Sequence, residues 1–528
     1  MINIALRTVR AGATLGCWRA SVSDAKGRTM RTTWPSIVAL SVLFCAAGSP
    51  PRLGALAKPP PPQGGGPPPL PVLKAGPGQS FDTPCVAIAA ALPGQEIDVS
   101  PGTYTDSCEI NTAGITLRGV GGQPKIDLSA TNHPADYKGI YVVSADNVTI
   151  QNLELTGAHI DDSEGGNAAA LRITGKGVVV HGCYIHDNQN GVLAAPLTDG
   201  GLITIQYTEL SHNGLGDACD QGGCVHNVYV SQASPTIRYD ETLFQFNWSH
   251  DLASDTADKG HLLKSRSRTT AVLYNRITGE TGHDSYEVDI PNGGQGVVLG
   301  NVIEKGPNAD NSTLLAYGEE GLDNSSVELD VISNTFVNDF TGGTFISAAT
   351  GAVLTAHNNI LYGPGMATNG AALSADNLTG IDPLFVALAS YDYHLQAGSP
   401  AIGKAVALGP VGPMLINLTP DQEYVQPLLG VARLNVHDLG AFEYGTDTRG
   451  ATQGLGYSTD DDAGNGPALD AGAISVDAAA PVDAVSGIGS RGAGSTTCGC
   501  EAVGRNVGGA SWLAGLALAV LMARRRAR

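Results

Sequence analysis

One phrase returns through the middle of the chain: an apolar residue, two variable positions, often an asparagine, a variable residue and another apolar residue. It appears as Val298-Leu299-Gly300-Asn301-Val302-Ile303 and as Val331-Ile332-Ser333-Asn334-Thr335-Phe336. It recurs as Val272-Leu273-Tyr274-Asn275-Arg276-Ile277 and Thr355-Ala356-His357-Asn358-Asn359-Ile360, with looser copies ending at Leu155, Ile185, Leu210 and Ser249. The copies end 24 to 39 residues apart. A base period of about 25 residues suits one coil of a parallel β-helix, the longer intervals being coils with inserted loops around Cys219–Cys224 and Glu319–Ser326. Leucine-rich repeats share the period but need a Leu-x-x-Leu-x-Leu frame that is absent, and propeller blades need about 40 residues.

A coil this short cannot bury its apolar face alone, so neighbours must stack and pair strands. The asparagine then belongs at a bend, where its amide can bond the turn backbone and the next asparagine along the stack. Cys183 and Leu153 occupy that place in earlier copies, so the ladder is expected to be partial. Exposed strand edges at the ends need covering. Val86 to Leu92 reads as a small amphipathic cap helix. At the other end Asp382-Pro383-Leu384-Phe385, Tyr391 to Leu395 and Gly398 to Ile402 lead into Asp438 to Gly445. With Gln95 to Tyr104 and Gly114 to Gly122, these phrases resemble the bacterial right-handed parallel β-helix family, relatives of the pectate-lyase-like fold. The resemblance spans residues 80–446 and implies an all-β, single-stranded right-handed solenoid with capped ends. It implies little about activity, because lyases, hydrolases, epimerases and non-catalytic adhesins share the fold.

The flanks read differently. Arg19, Lys26 and Arg31 precede an apolar run from Ile37 to Ala47 and the small-residue sequence Ala55-Leu56-Ala57, the layout of a secretory signal over residues 1–57. Met30 sits better before that run than Met1. Cys45 invites a lipoprotein reading, but Phe44 stands where a lipobox needs a small residue. Residues 58–79 form a Pro/Gly-rich linker and 447–497 an acidic Ala/Gly/Ser-rich one that cannot bury enough apolar surface to fold alone. In 498–528, Cys498-Gly499-Cys500, an apolar stretch from Ser511 to Ala523 and Arg524-Arg525-Arg526 follow in order. That order resembles the myxobacterial C-terminal sorting signal, which implies a cell-surface location. The apolar stretch is shorter than the roughly 20 residues a membrane span needs, and an ordinary tail anchor is the other reading. The expectation is an exported monomer, secreted or held on the outer envelope. In that oxidising setting Cys85 with Cys108 and Cys219 with Cys224 read as disulfides, and Cys183 as a buried thiol. A net charge of −20 with no basic stripe excludes nucleic acid as a partner.

The densest polar cluster lies in two successive coils, His261 to Arg268 and Tyr286 to Asn292. Lys264 stands 13 residues before Ile277 and Asp289 14 before Ile303, so stacking brings them together. Tyr317, Glu319 and Glu320 follow in the next coil, and His226 and Tyr229 precede. A groove of Lys, Arg, Tyr and carboxylates suits a lyase on an acidic polysaccharide, in which a cation neutralises the uronate carboxylate while a base removes the neighbouring proton. Lys264 is then the base, Arg266 or Arg268 the carboxylate partner and Tyr317 the acid, with His261, Arg268, Tyr229 and Glu319 lining the substrate. A hydrolase would use two carboxyls instead, Glu287 with Asp289 or Glu319 with Glu320. Cross-strand ion pairing that holds the stack in register is the third account of Lys264, Glu287 and Asp289. His186-Asp187 and His250-Asp251 read as turn residues, and no metal ligands are assigned.

The segment Leu263-Lys264-Ser265 through Gly300-Asn301 resembles the chondroitinase B and alginate lyase family, in which Lys264 matches the motif lysine. The matching arginine position falls near Glu287 to Pro291, where there is none. Ala257 and Lys259 stand where that family has calcium-binding glutamates, so a Ca2+ requirement stays open. The Arg-x-Pro-x-x-Arg phrase of pectate lyases and the Gly-Asp-Asp phrase of polygalacturonases are absent. Polysaccharide is the expected partner, either as the substrate of a lyase or as the ligand of a non-catalytic adhesive or envelope protein.

Overall fold

The structure is a computed structural model describing residues 3–8, 18–23 and 70–453, apart from 131–133, 137, 162–165, 216–224, 254–259, 372, 412–415 and 435–436. The apolar run at 37–47, the Ala55-Leu56-Ala57 sequence, the acidic linker from 454, the C-terminal segment, Cys219, Cys224, Ala257 and Lys259 lie outside the described residues. Within residues 1–68, a unit by itself, Asn3–Thr8 pairs antiparallel with Trp18–Ser23.

From Leu73 onward, three parallel sheets of 11, 11 and 10 strands run the length of one right-handed β-helix. Each coil contributes a strand to the first sheet, turns through the asparagine into the second, and turns again into the third. One such coil is Gln295–Leu299, Val302–Lys305 and Thr313–Tyr317. The repeat ends align one above another inside the second sheet: Leu155, Ile185, Leu210, Ser249, Ile277, Ile303 and Phe336 are direct register partners. The last copy is shifted by one, since Phe336 pairs with Leu361 rather than Ile360. Two adjacent asparagines made the frame ambiguous there, and Asn359, not Asn358, joins the ladder.

The ladder runs through Asn247, Asn275, Asn301, Asn334, Asn359 and Asn377. Each Nδ2 donates to the next Oδ1 at 2.8–3.1 Å. Asn301 uses its full capacity: Nδ2 also donates to the Val272 carbonyl at 2.8 Å, and Oδ1 accepts the backbone N–H and Nδ2 of Asn275. The column continues through Thr208, whose hydroxyl accepts the Cys183 N–H, and so fades toward the N-terminus as expected. Up to Asn359 the residue before each position of the column is left-handed: Asn152, Gly182, Tyr207, Phe246, Tyr274, Gly300, Ser333 and Asn358 have φ between +48° and +69°. At Gly300 a Cβ would lie 2.6 Å from the Tyr274 ring, so close stacking as well as φ requires glycine.

The cap helix is Pro84–Ala90, two residues earlier than Val86, because Pro84 supplies the first helical position and Ala87 and Ile88 face the core. A disulfide joins Cys85 to Cys108, tying the cap to the first coils. Cys183 is a buried free thiol whose pKa burial pushes up to about 12. The closing phrases turn back along the helix. Phe385, Tyr393, Leu395, Leu439 and Phe442 pack on Val302, Val337 and Ile360 of the second sheet, while Ile416 and Leu418 cover Tyr207, Phe246 and Tyr274 at the corner. No helix among the described residues is long and apolar enough to cross a membrane.

Replacing Asn301 with Ala removes the acceptor of the Asn275 N–H and Nδ2 donors and the donor to the Val272 carbonyl in a buried corner, while Asn334 Oδ1 keeps the residue 301 N–H. We expect a loss of about 3 kcal/mol in equilibrium denaturation, as the sum of unmade buried hydrogen bonds. A loss below about 1 kcal/mol would show that the ladder does not hold the register.

Candidate functional site

The third sheet positions the polar cluster. Its outward column runs Leu193, Tyr229, Lys264, Asp289, Ala316, Ser347 by direct register. Leu263 and Ser265 point inward, and period-two alternation sends Lys264 out. Lys264 Nζ meets Asp289 Oδ2 at 2.9 Å and Glu320 Oε1 at 2.9 Å. Arg266 donates from Nε to the Tyr229 hydroxyl at 2.7 Å, from Nη1 to Asn292 Oδ1 at 2.5 Å and from Nη2 to Glu320 at 2.8 Å. His226, His261 and Tyr286 form a column of rings with centroids 5.0 Å apart beside the charges.

Each group is held by the others. Burial alone would lower the Lys264 pKa, but Asp289 and Glu320 outweigh it and hold the ammonium above its ordinary range. Burial would likewise raise Glu320, and Lys264 with Arg266 keeps it below the usual carboxylate range. His226 and His261 are pushed well below the usual imidazole range, by burial first and then by Lys264. Their geometry agrees: His226 Nδ1 accepts the His261 N–H at 3.0 Å, and His261 Nδ1 accepts the Tyr286 N–H at 3.1 Å. Both rings are neutral, with the proton on Nε2, and His261 Nε2 lies 3.4 Å from Asp289.

Five sequence expectations conflict with the geometry here. Tyr317 points into the interior, fully buried in the core, and its hydroxyl donates to the Gly294 carbonyl, so it cannot serve as the acid beside Lys264. Glu287 does not share a face with Asp289. It precedes the strand Val288–Ile290 at the corner, where alternation does not operate, and pairs with Lys305 at 2.8 Å in a fully buried group with Asp284. Arg268 lies apart at the edge of the first sheet, bound to Asp199 at 2.7 Å and Asp240 at 3.0 Å. Glu319 and Glu320 diverge: exposed Glu319 accepts from the Ser347 hydroxyl at 2.7 Å, whereas Glu320 turns to the cations, so neither carboxyl pair has hydrolase geometry. Lys264 as a free base also conflicts with its setting, because removing its proton leaves two carboxylates facing a neutral amine.

Asn292 was not assigned a role from the sequence, although it stands three residues after Asp289 and receives Arg266. A second asparagine stack, Asn188, Asn213 and Asn227, with Nδ2 to Oδ1 at 2.9 Å, was also missed. It lies between the second and third sheets, outside the repeat phrase. His186 and His250 each hold the following aspartate, at 2.6 and 3.0 Å. Asp187 and Asp251 have positive φ, as turn residues do. Ser374 and Asp376 both bond Nδ1 of His357, so one imidazole nitrogen serves both and no proton relay is built. Among the described residues, no group of three or more His, Cys, Asp or Glu is arranged to hold a metal ion.

No protein-family model matches the chain, and no curated protein does. Among solved structures it is similar to pectate lyase Pel9A, at 17% identity over 69% of this chain and 91% of that one, with a TM-score of 0.43. It is also similar to a rhamnogalacturonan lyase, at 13% identity over 60% and 90% with TM-score 0.37, and to the pectin methylesterase of Aspergillus niger, at 15% over 59% and 90% with TM-score 0.32. The strand register itself defines the class: a right-handed parallel β-helix carrying a buried charged cluster on its third face.

A double-mutant cycle tests how far the cluster is structural. Lys264→Met alone leaves Asp289 buried without its cation, and is expected to cost about 3 kcal/mol in denaturant unfolding. Lys264→Met with Asp289→Leu is expected to recover most of it. A double variant as unstable as the single one would show that the pair does not act as a unit.

Proposed function

We propose that the protein is an exported β-helix protein, tethered to the envelope by its C-terminal segment, that binds anionic polysaccharide along the third face. The observation that carries the reading is the convergence of Lys264 and Arg266 on one carboxylate at the mouth of the cluster, with Tyr229 and the His226–His261–Tyr286 column alongside. Two cations are what a uronate-bearing chain needs for charge-assisted bonds. The Cys85–Cys108 disulfide supports export, since such bonds persist in oxidising compartments.

β-Elimination is the second reading. It is favoured by Arg266, whose pairing with a carboxylate is the one that would neutralise a uronate, and by Lys264 next to it. The salt bridges that keep Lys264 protonated favour binding over turnover.

Affinity electrophoresis in gels containing polygalacturonate, alginate, chondroitin sulfate or dextran separates these readings. The wild type is expected to be retarded by at least one acidic polymer and not by dextran. Arg266→Gln should weaken retardation about tenfold, the effect of losing one charge-assisted contact. Lack of retardation by every acidic polymer would sink the binding reading, while unsaturated-end absorbance that disappears in Lys264→Ala would establish the lyase. Export and tethering predict labelling of the protein on intact cells by a membrane-impermeant reagent, and a solely cytoplasmic pool would refute them.

A further inference from the structure

Of the four charges gathered on the third face, three are sealed and one is not. The side chains of Lys264, Arg266 and Asp289 are 5%, 5% and 2% exposed, and that of Glu320 is 23% exposed. Lys264 has Asp289 as a second carboxylate partner. Among the described residues, Glu320 is the carboxylate that Arg266 pairs with, its other arms resting on the Tyr229 hydroxyl and Asn292. Glu320 therefore stands between solvent and two buried cations, one of which depends on it for compensation.

The loop bearing Glu320 is fixed in its backbone and free in its outlet. The Glu320 N–H donates to the Pro291 carbonyl at 3.0 Å, Leu322 lies against the core, and Asn324 Nδ2 donates to the Ser267 and Gly293 carbonyls. Gly318 and Gly321 on either side have φ of +76° and +123°, which gives the sharp turn that aims Glu320 back over the sheet. Rotation of one side chain, with no loop movement, would bring Glu320 into water and open both cations.

We infer that Glu320 is a built-in occupant of an anion subsite formed by Lys264 Nζ, Arg266 Nη2 and the side chains of Tyr229 and Asn292 that hold Arg266. The ligand class is a carboxylate carried by an acidic sugar. That choice of ligand rests on the polysaccharide reading, whereas the subsite itself rests on the cluster. Exchange of one carboxylate for another keeps the charge-assisted bonds and the charge balance, so the ligand loses nothing that Glu320 had. An attached carboxylate competes at an effective concentration of about millimolar or above, which makes Glu320 a threshold on affinity.

The test uses the full chain with galacturonic acid, inorganic sulfate and neutral galactose as probes, by calorimetry and thermal melting at fixed ionic strength. Glu320→Ala is expected to bind galacturonate or sulfate about tenfold or more tightly than the wild type, with a saturable rise in melting temperature and no response to galactose. Adding Arg266→Gln should remove the gain. Absence of any gain in Glu320→Ala, or a gain that survives Arg266→Gln, overturns the inference. Glu320→Gln, which keeps the side-chain size, gives the same reading if the alanine variant does not fold. A galacturonate gain without retention by any polymer would sink the polysaccharide reading and leave the subsite standing, and polymer retention without the gain would do the reverse.

Discussion

The asparagine ladder is the constraint on which the rest of this molecule depends. A parallel stack can slip, and a slip of one residue sends every inward side chain outward. At each corner the ladder amide bonds the next amide and the main chain of its own stack, and for Asn301 every donor and acceptor is used. A slipped register would leave those groups unpaired in the interior, at about 1–3 kcal/mol each. A left-handed residue before a ladder amide costs about 1–2 kcal/mol where it is not glycine. Tyr207, Phe246 and Tyr274 offset this by stacking on one another at 5.1 and 5.4 Å under the returning C-terminal segment.

Fixed register is what turns scattered polar residues into a site. Lys264 and Asp289 lie 25 positions apart in the chain, yet the ladder makes them direct neighbours on the third sheet. Two cations and two carboxylates then balance within a buried group. Such pairs rarely add stability over apolar residues of the same size, because desolvation offsets their attraction. Their presence on this face, with the least buried member at the mouth, fits a surface that exchanges one anion for another better than one built for rigidity alone.

Two of the misplaced residues, Glu287 and Arg268, share a cause. Period-two alternation correctly sent Lys264 and Asp289 outward, because both sit inside strands. It misplaced Glu287, which sits at a corner; Tyr317 lies inside a strand, where alternation sends it inward two residues after Leu315, so the expectation that it faced Lys264 ran against the pattern. Arg268 lies past the end of its strand, beyond the turn into the first sheet, so proximity in sequence to Lys264 carried no proximity in space. Corners are short and irregular here, and a pattern defined on strands cannot cross them.

The solenoid, its period, the asparagine column and the pairing of Lys264 with Asp289 were legible in the chain because each follows from a local repeat multiplied by stacking, and the Cys85–Cys108 bond was legible from cysteine placement around the first coils. That Glu287 turns to Lys305, that Arg268 leaves the cluster, and that Glu320 reaches back from a loop to seal two cations emerges only in the folded chain. Those outcomes depend on the direction the chain takes after each corner, where φ and side-chain crowding, rather than periodicity, choose the path.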